Sequence, residues 1–148
     1  MINTVRARLV AAIKAAILAA GSGRVGRVVM PGGDVKAIQS TLSLGKFVVE
    51  IYIGDDEKGA PKPNLEEQTF DVGLVVHIPE SELDGNEPSE VAADINGDLY
   101  MAYAASESTG TFGGLAVTSE LNAVGDVYIS DRGTIVTVQG VKVLYRFT

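Results

Sequence analysis

The chain has 148 residues, of which 46% are hydrophobic and 21% charged, and these values are typical of a single globular domain. Nineteen Asp and Glu against twelve Lys and Arg give a net charge of -7, which disfavours binding to nucleic acid through a basic surface. Cysteine is absent, so disulfides, thiolate metal sites and thiol nucleophiles are excluded.

A first helix is predicted at the start of the chain. Asn3 or Thr4 is suited to cap it, and Gly21 is suited to end it. Lys14 interrupts the apolar sequence, which favours a folded helix over a membrane span or a secretory signal. Apolar residues recur at spacings of three and four, as on one side of an α-helix: Ile2, Val5, Leu9, Ile13 and Ile17.

The next segment is rich in glycine and leads into a β-rich stretch. Residues 21–33 suggest a turn, a short strand and a second turn. Asp34 is able to cap a helical turn within residues 34–43, but the sequence soon becomes β-rich. Residues 41–53 are β-rich, and alternation of Phe47, Val49 and Ile51 with other side chains predicts a strand over residues 47–53.

Gly21, Gly23 and Gly26 match the G-x-G-x-x-G spacing of dinucleotide-binding folds. That motif follows a strand and opens a helix, where backbone amides approach the pyrophosphate. Here the glycines follow a predicted helix and precede β-like residues. The spacing therefore indicates a turn, and no cofactor is expected.

A second strand is predicted over residues 69–78, where Val72, Leu74 and Val76 alternate with other side chains. Between the two strands, residues 54–68 carry many charges and prolines. This composition predicts a solvated hairpin loop of unusual length, and loops of that length are usually functional or disordered.

The last part of the chain is predicted to hold a helix and a hairpin. Residues 80–87 form a polar linker, and Asn86 or Ser89 is suited to cap a second helix whose first turn tolerates Pro88. Apolar residues every three or four positions over residues 91–105 predict that this helix runs to about Ala105. Gly97 weakens this prediction. A small-residue loop follows at residues 106–114, and residues 124–129 and 134–147 are predicted to close the fold as a hairpin.

Asp94, Asn96 and Asp98 place oxygen ligands at alternate positions, as the start of a calcium-binding loop does. Ala105 occupies the twelfth position, where such a loop needs a bidentate carboxylate. The pattern therefore favours a helix with a polar outer face, and no metal ion is expected.

His77 is the only histidine, so any arrangement of Ser, His and Asp depends on this one residue near a strand end. No serine lies in a nucleophile-elbow sequence. His77 is interpreted as a half-exposed strand residue, and no catalytic site is predicted.

The charged loop is the best candidate for contact with another subunit. Flexible, solvated carboxylates are poorly suited to acid and base catalysis, whereas exposed charge sets register and partner choice between subunits. The predicted oligomer or partner interface combines charged residues of this loop with an arginine of the final turn. It comprises Asp55, Asp56, Glu57, Lys58, Lys62, Glu66, Glu67 and Arg132.

These elements predict an α+β domain in which an antiparallel or mixed sheet packs against two helices, in the order helix, strands, helix, strands. The order and character of the elements resemble the tail-terminator, or tail-completion, proteins of long-tailed bacteriophages and their relatives in tail-like particles and gene-transfer agents. The resemblance spans nearly the whole chain and includes the small residues 113–117 and the last strand. Residues 21–33 and 34–43 depart from the family pattern.

The resemblance implies a homo-oligomeric ring, usually a hexamer, on the last ring of tail-tube subunits. Such a ring stops tube growth and presents a surface to the neck, or head-completion, protein. DNA would only pass through its lumen, where acidic side chains avoid holding phosphates. The resemblance implies no catalysis, cofactor or membrane contact, and it places the protein at the neck end of the virion tail after assembly in the host cytoplasm.

Two other functions remain open. A neck, stopper or tail-tube subunit belongs to the same broad class and is distinguished by its position in the particle. A small-molecule binding module with a pocket between sheet and helices belongs to a different class, and a thermal-shift screen with metabolites would favour it. For an enzyme, mutation of His77 or Asp94 would have to abolish a measurable turnover.

Overall fold

A five-stranded mixed β-sheet forms the centre of the fold, with helices on both faces. The computed structural model describes residues 5–19, 23–31, 35–58, 67–106, 118–129 and 134–146. In chain order the elements are α1 (Val5–Ala19), β1 (Val25–Val29), α2 (Val35–Ser43), β2 (Phe47–Lys58), β3 (Glu67–Ile78), α3 (Pro88–Ser106), β4 (Thr118–Ile129) and β5 (Ile135–Arg146). A short 3-10 helix, Glu80–Leu83, lies between β3 and α3.

The strand order across the sheet is β1-β2-β3-β5-β4. β1 runs parallel to β2, and the other neighbours are antiparallel. A parallel pair needs a crossover connection, which α2 supplies between β1 and β2. The two edges of the sheet are therefore β1 and β4.

Helices α1 and α3 cover one face of the sheet. Leu9, Ile13 and Ile17 recur along one side of α1 and are buried in the same cluster as Ile95 and Leu99 of α3. The sheet contributes every second residue of its central strands to this cluster, as the two-residue period of a strand requires: Phe47, Val49, Ile51, Val72, Leu74, Val76, Val141, Val143 and Tyr145.

Helix α2 covers part of the opposite face. Val48 lies between two residues of the main core, so its side chain points away from α1 and α3, and it is fully buried. Its register partner on β1 is Arg27, whose Nε donates a hydrogen bond to Thr41 Oγ1 of α2 at 3.3 Å. Ile38 of α2 is buried without joining the main cluster. The second face therefore has its own, smaller buried region.

The predicted α+β class and mixed sheet are confirmed, although the order of elements is only roughly as predicted. The helical turn considered for residues 34–43 is a full helix, so three α-helices are present among the described residues. The second strand of the sheet begins at Phe47, as predicted. α2 ends first: the amides of Leu44 and Gly45 donate to carbonyls of Thr41 and Leu42, and Gly45 adopts a φ of 77°.

Both ends of the long loop predicted at residues 54–68 are strand, and residues 59–66 lie outside the described residues. β2 continues to Lys58, β3 begins at Glu67, and their ladder extends to the pair Lys58 with Gln68. The charged sequence concealed this pairing because β propensity disfavours Asp, Glu and Lys, while cross-strand pairing overrides it. The register shift between Ile53 and Asp56 marks a bulge where the apolar alternation stops.

Other boundaries also differ from prediction. α3 starts at Pro88, which the prediction allowed in the first turn, but the linker before it contains a 3-10 helix that was not predicted. The strand predicted over residues 124–129 is longer, because β4 already starts at Thr118. Several predicted features lie outside the described residues. They are the helix caps Asn3, Thr4 and Gly21, the small residues 113–117 and the final turn.

Among the described residues, no helix is both long and apolar enough to cross a membrane.

Candidate functional site

The predicted interface residues lie at one end of the β2–β3 ladder. Asp55, Asp56, Glu57 and Lys58 form the last residues of β2, opposite the start of β3. Glu67 is the first residue of β3 and pairs with Arg146 of β5. Three further residues of the predicted interface lie outside the described residues: Lys62, Glu66 and Arg132.

The outer edge of β4 is a second candidate surface. β4 has 12 residues, whereas the other edge strand, β1, has five. In the part of the chain that the structure describes, no strand pairs with the outer side of β4. A long unpaired edge exposes backbone donors and acceptors and is suited to pair with another chain.

The last residues of β4 are exposed and apolar. Tyr128 is 53% exposed and Ile129 is 77% exposed. Their register partners are Val136 and Ile135 of β5, so the two side chains lie on opposite faces of the sheet at its edge. Sequence analysis included this strand end in a hairpin but did not identify it as a surface.

The second face of the sheet holds a chain of hydrogen bonds that we call the His77 network: Tyr52, Glu50, His77 and Thr134. Tyr52 donates from its hydroxyl to Glu50 Oε2 at 3.1 Å. The other carboxylate oxygen, Oε1, forms a hydrogen bond with His77 Nε2. On the far side of the imidazole ring, Nδ1 lies 3.0 Å from Thr134 Oγ1.

Strand register brings the His77 network together. His77 pairs with Val48 on β2 and with Val136 on β5. Glu50 and Thr134 are each two residues from those partners, so both lie diagonally beside His77 on the same face. The side chain of His77 is thus held between two neighbouring chain segments.

The network is buried at its centre. His77 is 2% exposed and Glu50 is 7% exposed, so the expectation of a half-exposed histidine was wrong. The error has a physical reason: α2 packs against β1 and β2 on the face that the alternation of apolar and polar residues assigned to solvent. Tyr52 is exposed and Thr134 is half-buried, so both ends of the network approach the surface.

Thr134 also lines a groove of about 1060 Å³ at the end of α2, which we call the α2 groove. Its walls are the C-terminal end of α2, the 3-10 helix and the start of β5. The residues that line it are Gln39, Leu42, Ser43, Leu44, Gly45, Ile78, Glu80, Ser81, Leu83, Asp84, Thr134 and Ile135.

The carboxylates considered as calcium ligands form an ion-pair cluster. Asp94 and Asp98 lie one turn apart on α3, and both accept hydrogen bonds from Arg24 Nη1, at 2.9 and 2.6 Å. Glu82 Oε2 lies 4.0 Å from Arg24 Nη2. Among the described residues, no group of three or more acidic or histidine side chains is placed to hold a metal ion.

Asn96 was predicted to lie on a polar outer face of the helix. This prediction is wrong, because Asn96 is buried and points into the core. Its side-chain Nδ2 donates to Thr137 Oγ1 at 3.1 Å, and its backbone carbonyl oxygen accepts a hydrogen bond from Gln139 Nε2 at 3.1 Å. The partners are about 40 positions away in sequence, so no local pattern indicated the contact. Gly23 adopts a positive φ in the turn before β1, and Gly26 lies within that strand, as the turn interpretation of the glycine motif predicted.

Sequence reasoning missed Glu50, Thr134 and Arg24 as members of polar clusters. Glu50 carried the only local signal, since a carboxylate between Val49 and Ile51 in a buried strand needs a partner. No known protein family and no characterised protein matches the sequence.

Proposed function

We propose that this protein is a structural subunit of a bacteriophage tail. In this proposal, copies of the chain form a ring on the end of the tail tube, stop its growth and present a joining surface to the neck. DNA passes through the lumen without specific binding. The tail-tube protein and a neck, or head-completion, protein are the partners of the ring.

The single observation that carries this proposal is the long outer strand β4, with one edge unpaired among the described residues and exposed apolar side chains at its end. A monomer that stayed alone would expose this edge to pairing with unrelated chains. Pairing with a second copy satisfies the backbone groups and removes Ile129 from water, which contributes about 1.5–3 kcal/mol when burial is complete.

The order of elements roughly fits the tail-terminator resemblance. The strand pair β2–β3 lies between the first helices and α3, and the antiparallel pair β4–β5 follows α3, while β1 and α2 fall in the segments that depart from the family pattern. The β2–β3 ladder extends to Lys58 and Gln68 and carries the charged hairpin that we expect to contact a neighbouring subunit. The net charge of -7 suits a ring through which DNA passes, because acidic side chains repel phosphates.

A charge placed on the strand end tests this assembly surface. The double variant Tyr128→Asp and Ile129→Lys is expected to fold but to lose rings, or the ability to cap tubes, as seen by electron microscopy. Leu44→Lys is the matched control, because Leu44 is 78% exposed and Ile129 is 77% exposed, and Leu44 lies in the turn after α2 and not on β4. Normal rings or caps from the double variant would contradict the role of β4.

A neck, stopper or tail-tube subunit remains the alternative within the same class. Such a subunit would also form rings, but tubes assembled in its presence would not stop at a fixed length. Position in the particle distinguishes these functions.

A further inference from the structure

Thr134, His77 and Glu50 stand in the order hydroxyl, imidazole, carboxylate. Thr134 Oγ1 is 3.0 Å from His77 Nδ1, and His77 Nε2 contacts Glu50 Oε1. This is the order of groups by which enzymes activate a hydroxyl nucleophile: a base accepts its proton and a carboxylate orients the base. The arrangement is recognised by geometry and not by sequence position, so the lack of a serine motif does not exclude it.

The hydrogen bonds select one tautomer of the histidine. A carboxylate only accepts hydrogen bonds, and Glu50 accepts one from the Tyr52 hydroxyl at 3.1 Å. Its second oxygen therefore accepts the proton on His77 Nε2. In the neutral ring, Nδ1 is then the acceptor and faces the Thr134 hydroxyl. The unprotonated nitrogen is thus held against the hydroxyl that it would deprotonate.

The base is buried, whereas Thr134 is at the wall of a groove. His77 and Glu50 are buried, so their orientation is fixed by their neighbours. Thr134 is half-buried and lines the α2 groove. A small molecule in this groove would meet the Thr134 hydroxyl without displacing His77 or Glu50.

We infer that Thr134 is a nucleophile that accepts acyl groups from carboxylic esters bound in the α2 groove. This activity is independent of ring assembly. Thr134 Oγ1 forms a bond to the acyl carbon, and its proton passes to His77 Nδ1. The ester C–O bond breaks, and the leaving alkoxide takes the proton from Nδ1 and departs as an alcohol. Water then cleaves the acyl-threonine, which restores the Thr134 hydroxyl and releases the carboxylic acid.

The lining of the groove indicates which esters would bind. Leu42, Leu83 and Ile135 offer apolar surface for a short acyl chain, while Glu80 and Asp84 place acidic groups at the same groove. Like charges repel, so anionic esters are disfavoured. The expected substrates are neutral or cationic esters of short apolar acids.

Acetylation by p-nitrophenyl acetate tests the inference on the full folded chain. Release of p-nitrophenolate is followed by absorbance, and the acetylated residue is located by mass spectrometry of peptides. We expect acetyl-Thr134 in the wild type. Thr134→Val keeps the shape of the side chain and is expected to lose that label, while Thr134→Ser retains it. Ser40→Ala removes an exposed hydroxyl of α2 that does not line the groove, and this variant is expected to label as the wild type does.

His77→Gln is expected to slow acetylation of Thr134 by about 100-fold, within the range by which a positioned general base accelerates proton transfer. Glu50 acts as a positioning residue through His77. In Glu50→Gln, the amide is able to donate to Nε2, which permits the other tautomer. Nitrogen-15 NMR of the imidazole is expected to show a proton on Nε2 in the wild type and loss of that preference in Glu50→Gln.

Acetylation that is absent from Thr134, or equal in the folded and urea-unfolded wild type, would overturn the inference. The same holds if a folded His77→Gln variant acetylates Thr134 at the wild-type rate. The proposed assembly surface at the end of β4 does not include these residues, so either result leaves the proposed tail function unaffected.

Discussion

Arg24 Nη1 lies 2.6 Å from Asp98 Oδ2, so the turn before β1 is held against the middle of α3, 74 positions along the chain. The same nitrogen donates to Asp94 at 2.9 Å, and the guanidinium carbon lies 5.0 Å from the centroid of the Phe47 ring. Burial lowers the pKa of Arg24, hydrogen bonds to Asp98 and Asp94 raise it, and the resulting pKa lies above the usual arginine value.

Replacement of Arg24 by Met is expected to lower the free energy of unfolding by about 1–2 kcal/mol, because the charge-assisted hydrogen bonds to Asp94 and Asp98 are lost. Because the pKa of Arg24 is higher in the folded state than in the unfolded state, the charged guanidinium stabilises the fold at every pH below the unfolded-state pKa. This stabilisation is lost only in strong base. Salt is therefore the better probe: urea unfolding should show a smaller difference in high salt.

Arg27→Met is the control for this variant. Arg27 is exposed, and its Nε makes one hydrogen bond of 3.3 Å with Thr41 Oγ1. We expect this change to cost less than about 0.5 kcal/mol. An equal loss in the two variants would contradict a special role for the Arg24 cluster.

Gly26 and Gly97 form a matched pair for the substitution Gly→Ala. A Cβ on Gly26 would lie 2.7 Å from both Lys46 Cβ and Thr41 Cγ2, so Gly26→Ala is expected to destabilise the protein by about 1–3 kcal/mol. A Cβ on Gly97 meets nothing within 4 Å inside α3, so Gly97→Ala is expected to stabilise it by about 0.5–1 kcal/mol. Thermal unfolding measures both, and effects of the same sign would be inconsistent with this packing.

Asn96→Asp is expected to cost about 3 kcal/mol at neutral pH. The position is buried, and Asn96 now donates to Thr137 with an uncharged amide. A buried carboxylate has a raised pKa, because burial penalises its charged form. The folded state then binds a proton more tightly than the unfolded state, so the penalty should shrink as pH falls towards 4. A penalty that does not change with pH would contradict burial of Asn96.

Deletion of residues 60–66 is expected to impair ring formation more than folding of the monomer. Lys58 pairs with Gln68, so the deletion leaves Gly59 and Glu67 as a two-residue connection, a length that antiparallel strands accept. Light scattering reports the oligomer and thermal unfolding reports the fold. An unchanged oligomer mass in a folded deletion variant would count against a role for this hairpin in assembly.

Sequence patterns predicted the elements that bury a regular apolar face. Leu9, Ile13 and Ile17 indicated α1, and the alternating residues of β2 and β3 indicated a strand pair, because burial on one face imposes a period. The pattern failed where strand pairing continued through charged residues, as at Lys58. It also gave little weight to α2, whose apolar side is short.

The polar clusters were beyond sequence reasoning because their members are distant in the chain. His77 and Glu50 occupy positions that alternate with core residues, which is the usual pattern of an exposed face. Only the packing of α2 and the adjacent strands makes that face an interior. Asn96 and Arg24 likewise depend on contacts between α3 and elements far away in sequence, and no local spacing encodes such contacts.

Electron microscopy of tail tubes assembled with and without this protein tests the central claim most directly. The account predicts rings of this protein at one end of the tubes, and a narrow distribution of tube lengths that broadens when the protein is left out. Tubes that remain uncapped, with the same length distribution in both samples, would contradict the tail-terminator function.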